Sequence, residues 1–196
     1  MKDAVWLKPA LIGVTALIVG LVAGVWFSPT EPPRPYSNMG GDFTLSSVSG
    51  PVSLSDFEDK AVLVFFGYTH CPDVCPTELA RMGHVLNNLT ASEREQVRSL
   101  FVSIDPARDT LQRITEYVNF FHPSIIGLTG TNEQIHQVAQ QYFVLYQKSE
   151  DSASDSGYLM DHSIKTYLVG RDGRLAAVLD RELDVSEVLE AVRRVL

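Results

Sequence analysis

Cys71 and Cys75 are the two cysteines of this 196-residue chain, and three residues separate them. They follow the apolar segment 61–66 (AVLVFF) and Gly67, and a helical pattern begins at Pro76. A buried strand that ends in glycine and leads into a helix places both sulfurs at a helix N-terminus. Unpaired backbone N–H groups and the helix dipole favour the thiolate over the thiol there. Because thiolates either exchange disulfides or bind soft metal ions, the pair predicts redox or metal chemistry.

The spacing of the cysteines bears on both chemistries. The redox motif of thioredoxin-type proteins has two residues between its cysteines, whereas this chain has three. On a helix this separation brings the two Cα atoms to about 6 Å, a distance that a disulfide can bridge. It also lets both sulfurs converge on one ion. The spacing therefore favours metal binding over general oxidoreductase activity, and both interpretations stay open.

Alternating strand and helix patterns surround the cysteine pair. Strands are predicted from apolar runs, and helices from apolar residues at every third or fourth position. In chain order these are strand 61–67, helix 76–89, strand 100–104, helix 110–121, strand 125–128 and helix 131–143. The helix at 131–143 is predicted to open with a capping box formed by Thr131 and Gln134. A hairpin at 42–55 precedes these elements, and a polar loop at 148–157, a hairpin at 164–179 and a helix at 185–196 follow them. Parallel βα units followed by a hairpin and a helix predict a thioredoxin-like α/β fold with an N-terminal hairpin.

The segment 9–27 is predicted to cross a membrane as a single helix. Its 19 residues carry no charge, and at helical rise they match the hydrocarbon core of a bilayer. Lys2 and Lys8 precede it, so the positive-inside rule places the N-terminus in the cytoplasm. A cleaved signal peptide is the weaker alternative, because the apolar stretch is longer than the usual signal core and no clean Ala-x-Ala site follows.

These features divide the chain into four predicted parts: a cytoplasmic N-terminus at 1–8, a transmembrane anchor at 9–27, a Pro-rich linker at 28–40 and a globular domain at 41–196. The eight residues before the anchor leave no room for an Arg- and Ser-rich mitochondrial presequence. We therefore expect a bacterial-type inner membrane, with the C-terminal domain on the periplasmic side. Cysteines in that compartment oxidise unless a reductant or a bound metal protects them. A formal net charge of -8 argues against a nucleic-acid partner.

A nitrogen donor is the expected third ligand for a soft ion that two thiolates leave under-coordinated. The chain has five histidines. Three of them occupy positions typical of surface or capping side chains: His84, His122 and His136. His70 adjoins the start of the helix, where a side chain often points away from the sulfurs. His162 precedes a predicted strand, at a junction that lies beside the cysteine helix in a thioredoxin-like fold. From its position alone, His162 is a functional residue or an ordinary polar loop residue, and the two interpretations are equally good.

Three segments of the sequence resemble the Sco (SenC) family. They are 67–76 (GYTHCPDVCP), 103–110 (SIDPARDT) and 158–163 (YLMDHS), and with the anchor they cover nearly the whole chain. Members of that family are membrane-anchored, copper-binding proteins of thioredoxin fold that serve assembly of the dinuclear copper site of cytochrome c oxidase. The resemblance implies a copper metallochaperone whose partners are cytochrome c oxidase subunit II and a periplasmic copper donor or thiol reductant. The alternative is a thiol-disulfide reductase that keeps the cysteines of the oxidase site reduced.

The resemblance also implies which side chains hold the copper ion. Cys71 and Cys75 match the sulfur ligands of the family, and His162 matches the nitrogen ligand. Two thiolates and one imidazole suit three-coordinate Cu(I), with Cu(II) as the second oxidation state considered, whereas a structural zinc site takes four ligands. If the protein has redox activity, the same two cysteines carry it.

Three aspartates near these segments have candidate supporting roles. Asp105 and Asp109 match the acidic pair of the family. Carboxylates are hard ligands that suit Cu(I) poorly, so we interpret both as scaffold or capping residues, with Asp109 or Thr110 capping the following helix. Asp161 is a candidate acceptor that orients the His162 ring, and a simple turn role is an equally good interpretation.

Overall fold

The computed structural model describes residues 36–149 and 157–196. The membrane-spanning segment predicted at 9–27 lies outside these residues, as does the first part of the linker predicted at 28–40. No helix within the two described ranges combines the length and the apolar character needed to cross a membrane. The anchor and the four-part division of the chain therefore stay predictions.

Strands and helices alternate along the described residues. The strands are β1 (Thr44–Ser47), β2 (Gly50–Ser53), β3 (Ala61–Gly67), β4 (Val97–Ser103), β5 (Ile125–Leu128), β6 (Tyr146–Lys148), β7 (Met160–His162), β8 (Lys165–Val169) and β9 (Leu175–Asp180). The helices are α1 (Val74–Asn88), α2 (Ala91–Glu95), α3 (Leu111–Phe121), α4 (Asn132–Gln141) and α5 (Val185–Arg193). A short 3-10 helix, Leu54–Phe57, follows β2.

The central sheet has five strands in the order β5-β4-β3-β8-β9. β3 lies in the middle, parallel to β4 and antiparallel to β8, and all seven of its residues are buried. An uninterrupted apolar strand of this kind is typical of a position that is covered on both faces. β4 also runs parallel to β5, with α3 in the connection between them. This topology agrees with the predicted thioredoxin-like α/β fold.

Most predicted elements are present with ends shifted by a few residues. β1 and β2 form the N-terminal hairpin, and β8 and β9 pair across a turn in which Gly173 has a φ of +72°. Glycine adopts that left-handed conformation without steric cost. Thr131 and Gln134 form the predicted capping box at the start of α4. The two predicted hairpins and the predicted capping box are therefore confirmed.

β6 and β7 form a separate two-stranded sheet that the sequence did not predict. The strands are antiparallel, with Tyr146 opposite His162. The N–H of Ser163 also donates to the carbonyl oxygen of Leu145 at 2.9 Å. Lys148, the first residue of the predicted loop at 148–157, ends β6, so the prediction is wrong at this residue. This pairing matters for function because it fixes the strand that ends in His162.

Helix α1 follows the cysteine turn and packs against α3 and α5. Its apolar side chains Leu79, Met82 and Leu86 are buried. Gly83 lies against the end of α3, where a Cβ would come within 2.9 Å of the carbonyl oxygen of Phe121. Only glycine allows such a close approach between helix and backbone.

A buried polar cluster ties α1 to the C-terminal strands. Glu78 is 4% exposed, and its carboxylate accepts hydrogen bonds from the Arg81 guanidinium and, at 2.6 Å, from the hydroxyl of Thr166. Arg81 also donates to the carbonyl oxygens of Asp180 and Leu183. A buried charge is tolerated when it is paired and hydrogen-bonded in this way. The cluster holds the cysteine helix against β8 and the end of β9.

Candidate metal centre

Cys71 and Cys75 occupy different kinds of backbone. β3 ends at Gly67 and α1 begins at Val74, so Cys71 lies in the turn before the helix and Cys75 in its first turn. The sequence predicted a helix that starts only at Pro76, with both sulfurs related by helical geometry. The N–H of Cys75 lies within 3.4 Å of Cys71 Sγ and donates to it. The helix start therefore supplies a hydrogen-bond donor to the sulfur outside the helix.

Both sulfurs are enclosed by the core. Cys75 has no exposed surface, and Cys71 is 7% exposed. A Cβ at position 67 would lie 2.8 Å from Cys75 Sγ and 2.9 Å from Cε2 of Phe101, which is too close for any side chain. Gly67 does not have a positive φ, so the glycine is required by the space that the sulfur occupies.

The two thiols differ in acidity. A hydrogen bond from the Cys75 thiol lowers the pKa of Cys71 to about 4, and backbone N–H groups add to the effect against the opposing influence of burial. The same hydrogen bond, together with burial, raises the pKa of Cys75. Cys71 is therefore the thiolate and Cys75 the protonated partner. The prediction that the helix start favours the thiolate at both sulfurs is wrong for Cys75, which a metal ion has to deprotonate on binding.

His162 reaches the cysteines from the end of β7. Its Nε2 lies 3.5 Å from Cys75 Sγ, and its Nδ1 lies 3.0 Å from the carbonyl oxygen of Ser163. Because a carbonyl oxygen only accepts hydrogen bonds, we assign the ring proton to Nδ1, which leaves a lone pair on Nε2. The Ser163 carbonyl thus orients the ring. Asp161, the residue considered for that role, is exposed.

The three predicted ligands come together in the folded chain. Cys71 Sγ, Cys75 Sγ and one ring nitrogen of His162 all lie within 4.8 Å of one another. Within residues 36–149 and 157–196, this is the only cluster of three or more His, Cys, Asp or Glu side chains with such spacing. His70 instead lies with Nδ1 3.6 Å from the carboxylate of Asp109. The other histidines are outside the cluster, two of them exposed and one buried: His84, His136 and His122.

Aromatic side chains enclose the imidazole of His162. The ring of Tyr68 meets it edge-on with centroids 5.8 Å apart, and the ring of Phe65 is 6.4 Å away. The Tyr68 hydroxyl accepts a hydrogen bond from the N–H of Met160 at 3.1 Å. Phe65 belongs to β3 and Tyr68 to the turn that leads to Cys71. The part of the chain that carries the cysteines thus also supports the histidine.

The carboxylate of Asp109 fixes the turn that carries Cys71. It accepts hydrogen bonds from the N–H and the hydroxyl of Thr69, at 3.0 and 2.6 Å, and from the hydroxyl of Ser103 at 2.6 Å. Thr110 rather than Asp109 caps α3. The scaffold role predicted for Asp109 agrees with these contacts, and the capping role belongs to Thr110 because the Asp109 side chain is already engaged.

The carboxylate of Asp105 holds the segment that precedes β7. It accepts hydrogen bonds from the hydroxyl of Tyr158 at 2.6 Å and from Nε of Arg108 at 2.5 Å. Nη1 of Arg108 donates to the carbonyl oxygen of Tyr158 at 2.8 Å. Arg108 and Tyr158 were not among the sequence-predicted site residues. Both lie in the segments that resemble the Sco family, and the three-residue spacing of Asp105 and Arg108 was the available signal.

Fold and site together define a thioredoxin-like α/β protein with a candidate metal centre of two sulfurs and one imidazole. Thiolates and imidazole are donors that Cu(I) prefers. The nearby carboxylates of Asp105 and Asp109 are occupied by hydrogen bonds within the scaffold. The donor set therefore fits copper as the ion that this protein binds.

Comparison with known proteins gives the family. Residues 31–196 match SCO1/SenC, so the chain belongs to the SCO1/SenC family, and the resemblance read from the sequence is confirmed. Protein SCO2, mitochondrial, of Saccharomyces cerevisiae is 38% identical over 156 residues, which cover 79% of this chain and 52% of that protein. This chain thus spans about half the length of that relative. BsSco, a member of the Sco family of cytochrome c oxidase assembly proteins, is 23% identical with a TM-score of 0.64, covering 83% of this chain and 96% of that one, and it shares the fold.

Two related structures contain copper. Arabidopsis thaliana ScoI with copper bound is 38% identical with a TM-score of 0.72, and the match covers 80% of this chain and 99% of that one. Bradyrhizobium japonicum ScoI with copper bound is 36% identical with a TM-score of 0.73, covering 81% of this chain and 99% of that one. These matches confirm the predicted fold and the prediction of copper, for which Cys71, Cys75 and His162 can form a site.

Proposed function

We propose that this protein is a copper metallochaperone that binds copper through Cys71, Cys75 and His162 and delivers it to the dinuclear copper site of cytochrome c oxidase subunit II. The observation that carries the proposal is the convergence of two sulfurs and one ring nitrogen within 4.8 Å. Copper in two related structures and the oxidase-assembly role of the family support it.

The donor set suits an ion that has to leave again. Three ligands leave a coordination position at which a ligand of the acceptor protein can enter, whereas structural metal sites are usually closed by four. His162 is the first ligand to be exchanged, because its side chain is half-buried while Cys75 is fully enclosed. Stepwise replacement of donors then passes copper directly between the proteins without release to solvent.

We place this transfer at the periplasmic face of a bacterial-type inner membrane, with the segment 9–27 as the anchor. The 19 uncharged residues of that segment and the prolines that follow support this location. Anchoring confines the chaperone to the surface that holds the membrane-bound oxidase. Protease treatment of spheroplasts tests the orientation: a C-terminal tag is expected to be digested, and its protection would contradict the proposal.

Anaerobic titration with Cu(I) in competition with a coloured chelator tests the ligand set. We expect the full chain to bind one equivalent of copper and His162→Ala to lose at least about tenfold in affinity. His136→Ala is the matched control, because it removes an exposed imidazole on α4 that is not part of the cluster. Equal affinity of His162→Ala and the unchanged chain would refute His162 as the third ligand.

A transfer assay tests the delivery step. The Cu(I)-loaded chain is mixed with the metal-free copper domain of subunit II, and ferricyanide is then added because Cu(I) is colourless. The oxidant takes an electron from the transferred copper, and the absorption bands of the oxidised dinuclear site are followed. We expect these bands to appear with the loaded chain and not with loaded Cys75→Ser. Failure of the loaded, unchanged chain to transfer copper would refute delivery, even if binding is tight.

Thiol-disulfide reduction is the second candidate function, and the unequal acidity of the cysteines favours it. The Cys71 thiolate attacks one sulfur of a partner disulfide, and the other partner sulfur leaves as a thiolate. Cys75 then gives up its proton, attacks the Cys71 sulfur of the mixed disulfide and releases the second partner thiolate. The partner gains two electrons and this chain becomes a disulfide, which a periplasmic dithiol reduces again.

A trapping experiment separates the two functions. Cys75→Ser lacks the second sulfur, so a reductase would accumulate as a mixed disulfide between Cys71 and an oxidised subunit II domain. Reduction of that domain by the copper-free His162→Ala variant would favour the reductase, because the exchange does not need the imidazole. No mixed disulfide and no reduction would leave copper delivery as the function of the pair.

A further inference from the structure

The strand that carries His162 is held by a cluster of four side chains, which we call the β7 clasp: Tyr68, Asp105, Arg108 and Tyr158. Its centre is the Arg108 guanidinium, whose carbon lies 3.5 Å from the centroid of the Tyr158 ring and 5.8 Å from that of the Tyr68 ring. The side chains of Arg108 and Asp105 are 15% and 3% exposed. A charged pair so well shielded from water holds its geometry more firmly than a surface pair.

The β7 clasp forms hydrogen bonds with the backbone of the residues directly before His162. Nη1 of Arg108 donates a hydrogen bond to the carbonyl oxygen of Tyr158, and the Asp105 carboxylate accepts one from the Tyr158 hydroxyl. The Tyr68 hydroxyl accepts a hydrogen bond from the N–H of Met160. β7 has three residues and, among the strands that the structure describes, pairs only with β6 in a two-stranded sheet. An isolated pair of short strands is marginally stable by itself. The clasp is therefore a main constraint on where the imidazole lies relative to the sulfurs.

We propose that Arg108 is a positioning residue for copper binding, which holds the backbone at 158–160 so that Nε2 of His162 stays directed at Cys71 and Cys75. The inference rests on the proposed function, since it takes His162 as a copper ligand. Arginine suits this task because its planar group donates to a carboxylate and a carbonyl at once and stacks on an aromatic ring. Lysine keeps the charge and loses that geometry.

We expect loss of the Arg108 side chain to free the imidazole and to leave the sulfurs in place. Without the Nη1 donor the carbonyl of Tyr158 loses its partner, and the start of β7 is free to shift. The cysteine turn is held separately, by Asp109, Thr69 and Ser103. Loss of Arg108 therefore acts on copper affinity through His162 alone.

Cu(I) affinity in two backgrounds tests this route. Arg108→Lys and Tyr158→Phe are each made in the full chain and in His162→Ala, and affinities are measured by chelator competition. We expect each to lower affinity about tenfold in the full chain, as is usual for residues that support a metal ligand, and to change nothing further in His162→Ala. Arg193→Lys is the matched control, because Arg193 pairs with Glu93 elsewhere on the surface.

A readout without copper accompanies the titrations. Amide hydrogen exchange of the metal-free chain is expected to speed up at Met160 in Arg108→Lys and to stay unchanged at Cys75. Tyr158→Phe removes a single hydroxyl, so it keeps the test valid if Arg108→Lys fails to fold, and thermal melting of each variant shows whether it has folded.

The outcomes distinguish a failure of the positioning role of Arg108 from a failure of the proposed copper function. Unchanged affinity of Arg108→Lys and Tyr158→Phe, with a loss in His162→Ala, overturns the positioning role and leaves the copper function standing. An equal loss in both backgrounds also overturns it, because the effect would then not pass through His162. If His162→Ala itself binds copper as the full chain does, the proposed ligand set fails and the positioning role fails with it.

Discussion

Replacement of Gly67 by alanine tests whether the end of β3 is shaped by the cysteine sulfur. Gly67 has ordinary backbone angles, so alanine carries no conformational penalty there. The added Cβ would stand 2.8 Å from Cys75 Sγ, whereas ordinary van der Waals contact begins at 3.4 Å. The sulfur or the strand therefore has to move by the difference between these distances, 3.4 − 2.8 = 0.6 Å.

This displacement has two measurable consequences. Overpacking a dense core costs about 1–3 kcal/mol, and each kcal/mol lowers the melting temperature of a domain of this size by roughly 2–4 °C. We therefore expect the melting temperature to fall by roughly 2–12 °C. Metal–ligand distances tolerate only about 0.2 Å, so copper affinity is expected to fall at least about tenfold as well.

Gly83→Ala provides the control for this experiment. A Cβ there would meet the Phe121 carbonyl oxygen at 2.9 Å, which is a similar clash on α1, the helix that carries Cys75, and it does not involve a sulfur. Both variants are melted as metal-free proteins and then titrated with Cu(I) against a chelator. Gly83→Ala is expected to lose stability and keep its copper affinity. Unchanged melting and unchanged affinity in Gly67→Ala would refute the steric reasoning.

Three further predictions concern groups around the site. The rate of alkylation of Cys71 in the metal-free chain, measured by mass spectrometry, is expected to stay constant from about pH 6 to 8. The reason is that the pKa of Cys71 is lowered to about 4, so the thiolate is already formed. A rate that keeps rising up to about pH 9 would contradict this prediction. Asp109→Asn, which turns an amide group toward three donors, is expected to cost about 1.5–3 kcal/mol in denaturant unfolding, whereas exposed Asp161→Asn is expected to cost almost nothing. Glu78→Ala removes the buried carboxylate that pairs with the half-buried Arg81 and is expected to cost about 3–5 kcal/mol in denaturant unfolding. A loss no larger than that of the exposed Glu182→Ala would show that the pair is not structurally important.

The elements near the cysteines were predictable because their signals are local. The apolar run of β3, the periodicity of α1 and the capping box at Thr131 each depend on residues within one or two turns of each other. The family resemblance then supplied His162, which local patterns left open between a ligand and a loop residue. The matched motifs, and not the periodicity, therefore indicated which residues form the site.

The remaining features depend on contacts between distant parts of the chain. β6 and β7 are three residues each, too short for a periodic signal, and their pairing is visible only in the folded molecule. The unequal acidity of Cys71 and Cys75 follows from the hydrogen bond between their side chains and from their burial, and both depend on the folded structure. The orienting role of the Ser163 carbonyl had no signal in the sequence, because every residue carries that group.

Cys75 and His162 lie 87 positions apart in the chain. Because of this separation, binding of copper changes the stability of the folded domain. The imidazole meets the sulfurs only in the folded domain, so an ion held by all three donors stabilises that state by mass action, by about 4.1 kcal/mol at a free concentration 1,000 times the Kd. Cys71 and Cys75 remain neighbours even in the unfolded chain, and a disulfide between them closes too short a loop to restrict it much. The copper-bound protein should therefore resist proteolysis longer than the metal-free or the oxidised protein, which couples the lifetime of the protein to the supply of copper.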